Sequence, residues 1–234
     1  MVVCVGWALA GIALHTASAQ VFNISAPINS PVAIPDNSAV GTVQSMYVDG
    51  LTGVIKTLQV QLNILSHPGG SMYNGDLYLT LLHNGTSTVL LNRVGRRDGF
   101  SAGYADGGFN ITLSDSAAAD IHSYRVTLNG NDFTPISLGE TPGVLTGTWQ
   151  PDGRTDDPES VLTTSLRTTS LSLFSGASPN GTWSLFLADL SPGANADLVS
   201  WSLGIVTVPE PQNVVLATGF SLLALGLWRR SRRA

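Results

Sequence analysis

The chain has 234 residues and a formal net charge of −5. Between Gln20 and Val208 seven Lys/Arg stand against fifteen Asp/Glu, because four of the eleven basic residues occupy the last six positions. An acidic body of this kind repels phosphate backbones and argues against nucleic acid as a partner. The one cysteine, Cys4, lies in the leader, so everything after it lacks a disulfide, a thiol nucleophile and a thiolate metal site.

Val2 to Leu14 is an apolar run too short to span a bilayer, and Ala17-Ser18-Ala19 after it is a small-x-small cleavage site. Residues 1–19 therefore read as a signal peptide cut after Ala19, although no Lys or Arg precedes the apolar run. Charged residues make up only 12%, and 25 Gly and 12 Pro punctuate the rest, which suits one all-β domain of short strands over residues 20–207.

Val32-Ala33-Ile34-Pro35-Asp36-Asn37 is extended and then turns. Lys56 to Ser66 alternates cleanly, with Leu58, Val60, Leu62 and Ile64 on one face and polar residues on the other. Gly75-Asp76 opens a strand that points Leu77, Leu79 and Leu81 inward. His83-Asn84-Gly85-Thr86 is a hairpin turn, since Asn-Gly adopts the positive φ angles a tight turn requires. Val89 to Asn92 pairs back, and Arg96 to Gly108 is a Gly-rich loop. Strands are expected at Phe109–Leu113, at His122–Leu128 and within Val161–Phe174, with one possible helical turn at Ser114–Asp120 and a surface loop across Asn129–Glu159. Gly181 to Val206 reads as a long-looped hairpin around Ser191-Pro192-Gly193-Ala194-Asn195. Its inner face would carry Trp183, Leu185 and Leu187 on one strand and Val199, Trp201, Leu203 and Ile205 on the other.

Beyond Val208, the sequence Pro209-Glu210-Pro211 precedes the largely apolar Val214–Trp228, and Arg229-Arg230-Ser231-Arg232-Arg233 follows it. An apolar segment ended by arginines fits a tail lodged in a membrane with its basic end cytoplasmic.

Two resemblances arise from these residues. The ordered series Ile34-Pro35-Asp36-Asn37, Val54–Leu65, His67 with Gly75-Asp76-Leu77, Asn84-Gly85-Thr86, Gly147-Thr148-Trp149-Gln150-Pro151, Phe174-Ser175-Gly176 and Gly181–Trp201 resembles the P domain (P/Homo B) of kexin- and furin-like proprotein convertases. That resemblance implies a jelly-roll-like β-sandwich that carries no catalytic residue and serves a subtilisin-type serine protease. The family's Ser-Pro-x-Gly-Thr turn is here His83-Asn84-Gly85-Thr86. The tail at 208–234 resembles the PEP-CTERM sorting signal through Pro209, Glu210, Pro211, Arg229 and Arg230. It implies transient insertion in the inner membrane, removal of the tail by an exosortase, and release to the cell surface or the extracellular space.

Chemistry is sparse. A Ser-His-Asp triad needs a base beside a nucleophile, and only His67, His83 and His122 follow the leader, with no Gly-x-Ser-x-Gly elbow. No close His pair suggests zinc. Calcium takes loop carboxylates and carbonyls, and among the turn-bordering Asp98, Asp106, Asp115, Asp197, Asp76 and Asp189 the last two are the candidate ligands. Some P domains bind calcium, but no Asp-x-Asp-x-Asp-Gly loop occurs. Trp149, between Thr148 and Gln150 in a polar stretch, is the candidate exposed contact for a ligand. The sequence thus points to a non-enzymatic, exported module that binds protein or polysaccharide. Two alternatives stand beside it: an accessory P domain for a separate serine protease, and a calcium-dependent carbohydrate-binding jelly roll.

Overall fold

The computed structural model describes residues 18–138 and 141–209. The leader up to Ala17 and the tail from Glu210, with Pro211, Arg229 and Arg230, lie outside the described residues, while Ala19 and Pro209 flank the folded body. Among the described residues no helix is long and apolar enough to cross a membrane.

Two sheets form a β-sandwich. The first has the order β1-β12-β4-β7-β10, with β2 also on β12, built from β1 (Gln20–Ser25), β2 (Val32–Ile34), β4 (Val54–Ser66), β7 (Gly108–Ser114), β10 (Leu145–Trp149) and β12 (Ala196–Val208). The second has the order β3-β11-β5-β6, built from β3 (Thr42–Val48), β5 (Leu77–His83), β6 (Thr86–Asn92) and β11 (Gly181–Asp189). A small pair, β8 (Ser137–Leu138) with β9 (Thr141–Pro142), stands apart. The core fills the space between the sheets: Val60, Leu62 and Ile64 from β4, Leu79 and Leu81 from β5, Leu185 and Leu187 from β11, and Leu203 and Ile205 from β12 are all buried.

The alternation in β4 and β5 has the expected phase, because a strand with one face on a core must place every second side chain inside. The β5–β6 turn closes through Asn84 at φ +47° and Gly85 at φ +80°, with His83 opposite Thr86. Two positive φ values in succession are what Asn-Gly supplies cheaply.

The expected hairpin of β11 and β12 does not form. β11 lies in the four-stranded sheet between β3 and β5, whereas β12 lies in the six-stranded sheet between β1 and β4. Leu190 to Asn195 carries the chain from one layer to the other, so Trp183 and Trp201 enter the core from opposite sheets, each almost fully buried. Alternation reports which way a side chain points but not which strand its backbone pairs with. A bulge between Leu198 and Ser200 also resets the phase of β12. Leu198, rather than Val199, is therefore buried with Trp201.

Four further expectations are corrected. Ile121–Ser123 and Tyr124–Asn129 form a 3-10 turn running into a short helix, α1, where a strand was expected at His122–Leu128. Its buried positions are Ile121, His122, Tyr124 and Arg125, and Gly130 at φ +71° caps its end. Ser114–Asp120 is the turn before it, not helix. Val161–Phe174 is loop ending in a 3-10 turn at Leu171–Phe174. It is held by side chains: Arg154 Nη2 donates to the Thr163 carbonyl at 3.2 Å, and Arg167 Nε donates to the Asp152 carbonyl at 3.0 Å. Within the expected loop 129–159 lies β10, paired parallel with β7.

Candidate functional site

The two calcium candidates meet at one end of the four-stranded sheet. Asp76 closes the 3-10 turn Asn74–Asp76 just before β5, and Asp189 ends β11, paired across from Leu77. Both are buried, at 4% and 1% exposure. The Asp76 carbonyl accepts from Leu190 N at 2.9 Å and the Asp189 carbonyl from Ser38 N at 2.7 Å, which ties both backbones to the crossover and to the loop after β2. From that loop exposed Asp36 approaches, its Oδ2 accepting from Gly193 N at 3.3 Å. Asp36 was missed as a member of this group because its neighbours in space are 40 and more residues away in the chain.

One cation serves the group. Arg93, at φ +46° just after β6, donates from Nη2 to Ser191 Oγ at 2.7 Å and stands 3.8 Å from Asp76 Oδ1. Its Nη1 donates to Glu159 Oε1 at 2.6 Å, so its charge is shared. Burial pushes the Asp76 carboxyl up from its ordinary value, against the Ser191 hydrogen bond and Arg93, and with Asp36 adding to it. Burial likewise pushes Asp189 up, to about 6, with Asp76 and Asp36 adding to the effect and the Ser191 amide and Arg93 opposing it. Asp189 Oδ1 accepts from Ser191 N at 3.2 Å, while its buried Oδ2 has no partner. Hard carboxylate and hydroxyl oxygens around an orphaned buried oxygen are the donor chemistry of a calcium site. Among the described residues, however, no three or more His, Cys, Asp or Glu side chains already form a cage for an ion.

The histidines have structural partners. His122, buried, faces Asp152 Oδ2 at 2.8 Å through Nδ1 and the Arg96 carbonyl at 3.0 Å through Nε2. His83 faces the carbonyls of Thr182 at 3.0 Å and Ser178 at 2.9 Å. His67 is 58% exposed and pairs through Nδ1 with Asp197 Oδ2 at 2.9 Å. Among the described residues no histidine nitrogen lies within hydrogen-bond distance of a Ser or Thr hydroxyl.

Trp149 is not an exposed platform. It is 5% exposed, donates from Nε1 to the Thr146 carbonyl at 2.9 Å, and meets Tyr124 edge to face at 6.2 Å. Thr146, Gly147 and Thr148 are all exposed in β10 and Gln150 lies just past its end, which is why the stretch looked like a loop. One exposed aromatic group lies elsewhere. The Arg97 guanidinium lies 4.3 Å from the Phe100 ring centre and 5.1 Å from that of Phe133, with Phe133 mostly exposed and Phe100 about half exposed.

The described residues form a two-sheet β-sandwich with its core between the layers. No protein-family model matches the chain, and no curated protein does. Among solved structures, 86% of the chain is similar to part of a chain in the complex of the Aeromonas sobria serine protease with the chaperone ORF2, at 16% identity and a TM-score of 0.41. The match spans 28% of that longer chain. The protease and chaperone belong to that complex, and a likeness of this size lends this chain no activity.

Proposed function

We propose that the domain is a non-catalytic binding module, a β-sandwich that acts by holding a protein or polysaccharide outside the cell. The observation that carries this reading is the engagement of the histidines: the buried rings of His83 and His122 each direct both nitrogens at acceptors of the fold, and His67 spends its Nδ1 on Asp197. A general base needs a ring nitrogen aimed at the proton it removes, and no Ser or Thr hydroxyl stands there among the described residues. Export rests on Ala17, Ala19 and the Pro209-Glu210-Pro211 tail with its arginines, as does processing by an exosortase. The test is peptidase assay of the exported protein on casein and peptide libraries, with affinity capture from the same culture. Turnover abolished by a single Ser or His substitution would overturn the reading.

A more specific version makes the module an accessory P domain of jelly-roll type for a separate subtilisin-like protease. Its support is the ordered series from Ile34-Pro35-Asp36-Asn37 to Trp201, within which the sandwich places its core strands. Co-purification with a serine protease whose melting temperature rises on binding supports it. A second reading, a calcium-dependent carbohydrate-binding jelly roll, is favoured by the orphaned Asp189 Oδ2. Asp189 and Asp76, with Asp36, would hold the ion, which would supply positive charge to a cluster that has too little.

A further inference from the structure

We infer that the free edge of the four-stranded sheet pairs with the same edge of a second copy of this chain. The inference goes beyond the binding-module reading and does not rest on it. The sheet ends in β3 on one side and in β6 on the other. An end strand turns every second N–H and C=O away from its ladder, and folded proteins cover or disguise such a row. β6 is covered. Asp152 N donates to the Leu90 carbonyl and Gly153 N to the Val89 carbonyl, both at 3.0 Å, and Val89 N donates to Thr169 Oγ1 at 3.3 Å. β3 has no such cover: among the described residues its backbone pairs with β11 alone. Nor is its edge disguised. Thr42-Val43-Gln44-Ser45-Met46-Tyr47-Val48 holds no proline and no charge, and its register with β11 runs without a bulge.

Val43 is 54% exposed and Tyr47 72% exposed, and no other described strand exposes two large apolar side chains. Met46 and Val48 are buried, so Val43, Ser45 and Tyr47 share the outer face. The spacing of Val43 and Tyr47 selects the occupant. When two β3 strands pair antiparallel about a two-fold axis at Ser45, Val43 of each copy stands directly opposite Tyr47 of the other. Aromatic and β-branched side chains make favourable cross-strand pairs. Val43 already ends such a row: it lies opposite Phe186 of β11, and Phe186 meets Tyr78 of β5 edge to face at 6.3 Å. Tyr47 of the second copy would continue that row and cover its exposed end. Charge favours the same contact. The acidic body repels a second copy of itself, yet the charged residues nearest to β3 in the chain are Asp36 and Asp49. In the register centred on Ser45, no charged residue of one strand falls opposite a charged residue of the other.

Sedimentation of the exported protein from about 1 μM to about 1 mM, the span of weak association, tests this, and monomer should pass to dimer across it. The double variant Val43→Lys/Tyr47→Lys sets like charges opposite each other in both pairs and should weaken the dimer at least about 10-fold. Val43→Glu/Tyr47→Lys sets opposite charges in both pairs and should dimerise at least about 10-fold more tightly than the first variant. That recovery also shows that the strand folds with both positions charged. In a Cys4→Ser background, Ser45→Cys lies on the axis and should give a disulfide-linked dimer under mild oxidation, whereas Val43→Cys should not. A monomer throughout the range, a dimer indifferent to the two lysines, or equal behaviour of the two double variants overturns the inference. A chain that stays monomeric and retains a different protein, released by Tyr47→Lys, would assign the edge to that partner and also overturn self-pairing. Peptidase turnover would overturn the non-catalytic reading and leave the dimer standing.

Discussion

The His83 imidazole lies parallel to the Trp183 indole, with ring centres 3.8 Å apart. The two residues are cross-strand partners in β5 and β11, and Phe174 packs against both, 6.4 Å from His83 and 5.2 Å from Trp183. The ring also fastens the loop before β11 through the Ser178 carbonyl. A histidine read in the sequence as a turn residue is thus part of the core. His83→Ala should cost about 2–4 kcal/mol, from lost hydrogen bonds and lost stacking. Denaturant midpoints measure it, and an unchanged midpoint would show that the stack contributes nothing.

Trp201→Ala should cost about 3–5 kcal/mol, the range for a large aromatic that leaves a cavity. A domain of this size is typically stable by only about 5–15 kcal/mol, so its melting temperature should fall sharply. Thermal melts followed by near-ultraviolet circular dichroism check this.

Trp149→Ala belongs in the same class. As a surface loop residue it would change stability by less than about 1 kcal/mol. Buried on Tyr124 and bonded to Thr146, it should cost about 3–5 kcal/mol. A melt indistinguishable from wild type would restore the exposed reading.

Acidity should favour the folded state around Asp189. Its folded pKa of about 6 lies above the ordinary carboxylate value of 3.8. Between those two values the folded state holds a proton that the unfolded chain has released. Stability from this group is therefore full below about pH 4, falls as pH rises to about 6, and is level above that. The loss should be about 1–3 kcal/mol, and Asp76, also pushed up, adds in the same direction. Asp189→Asn should flatten this slope and raise the melting temperature near pH 8, while a steeper slope in the variant would contradict the assignment.

Millimolar calcium should raise the melting temperature of the wild-type chain near pH 8 by mass action on the folded state. The rise should be reversed by chelator and absent in Asp189→Asn. A rise of equal size in that variant would place any calcium elsewhere.

Much of the sandwich was legible in the sequence, and the parts that were not share a cause. Leu58 to Ile64 and Leu77 to Leu81 declare their faces because alternation is local. Strand partners are not local, so the alternating runs of β11 and β12 looked like a hairpin although they belong to different sheets. Tyr124 and Arg125 are adjacent and both buried in α1, yet their letters fit a strand equally well. Asp76 and Asp189 could be named as turn carboxylates, but their meeting, and Asp36 beside them, follow from the crossover.

The strand order also governs when this chain can fold. β11 separates β3 from β5, and β12 separates β1 from β4. Each sheet therefore receives one of its interior strands only from residues 181–208, after the two strands flanking it have been synthesised. Until then β3 and β5, and β1 and β4, have open edges and exposed apolar faces. Contacts of such long sequence separation make folding slow, and uncovered edges during that interval invite association between chains. A nascent chain interrupted before Gly181 has no way to close either layer, so folding should follow synthesis rather than accompany it.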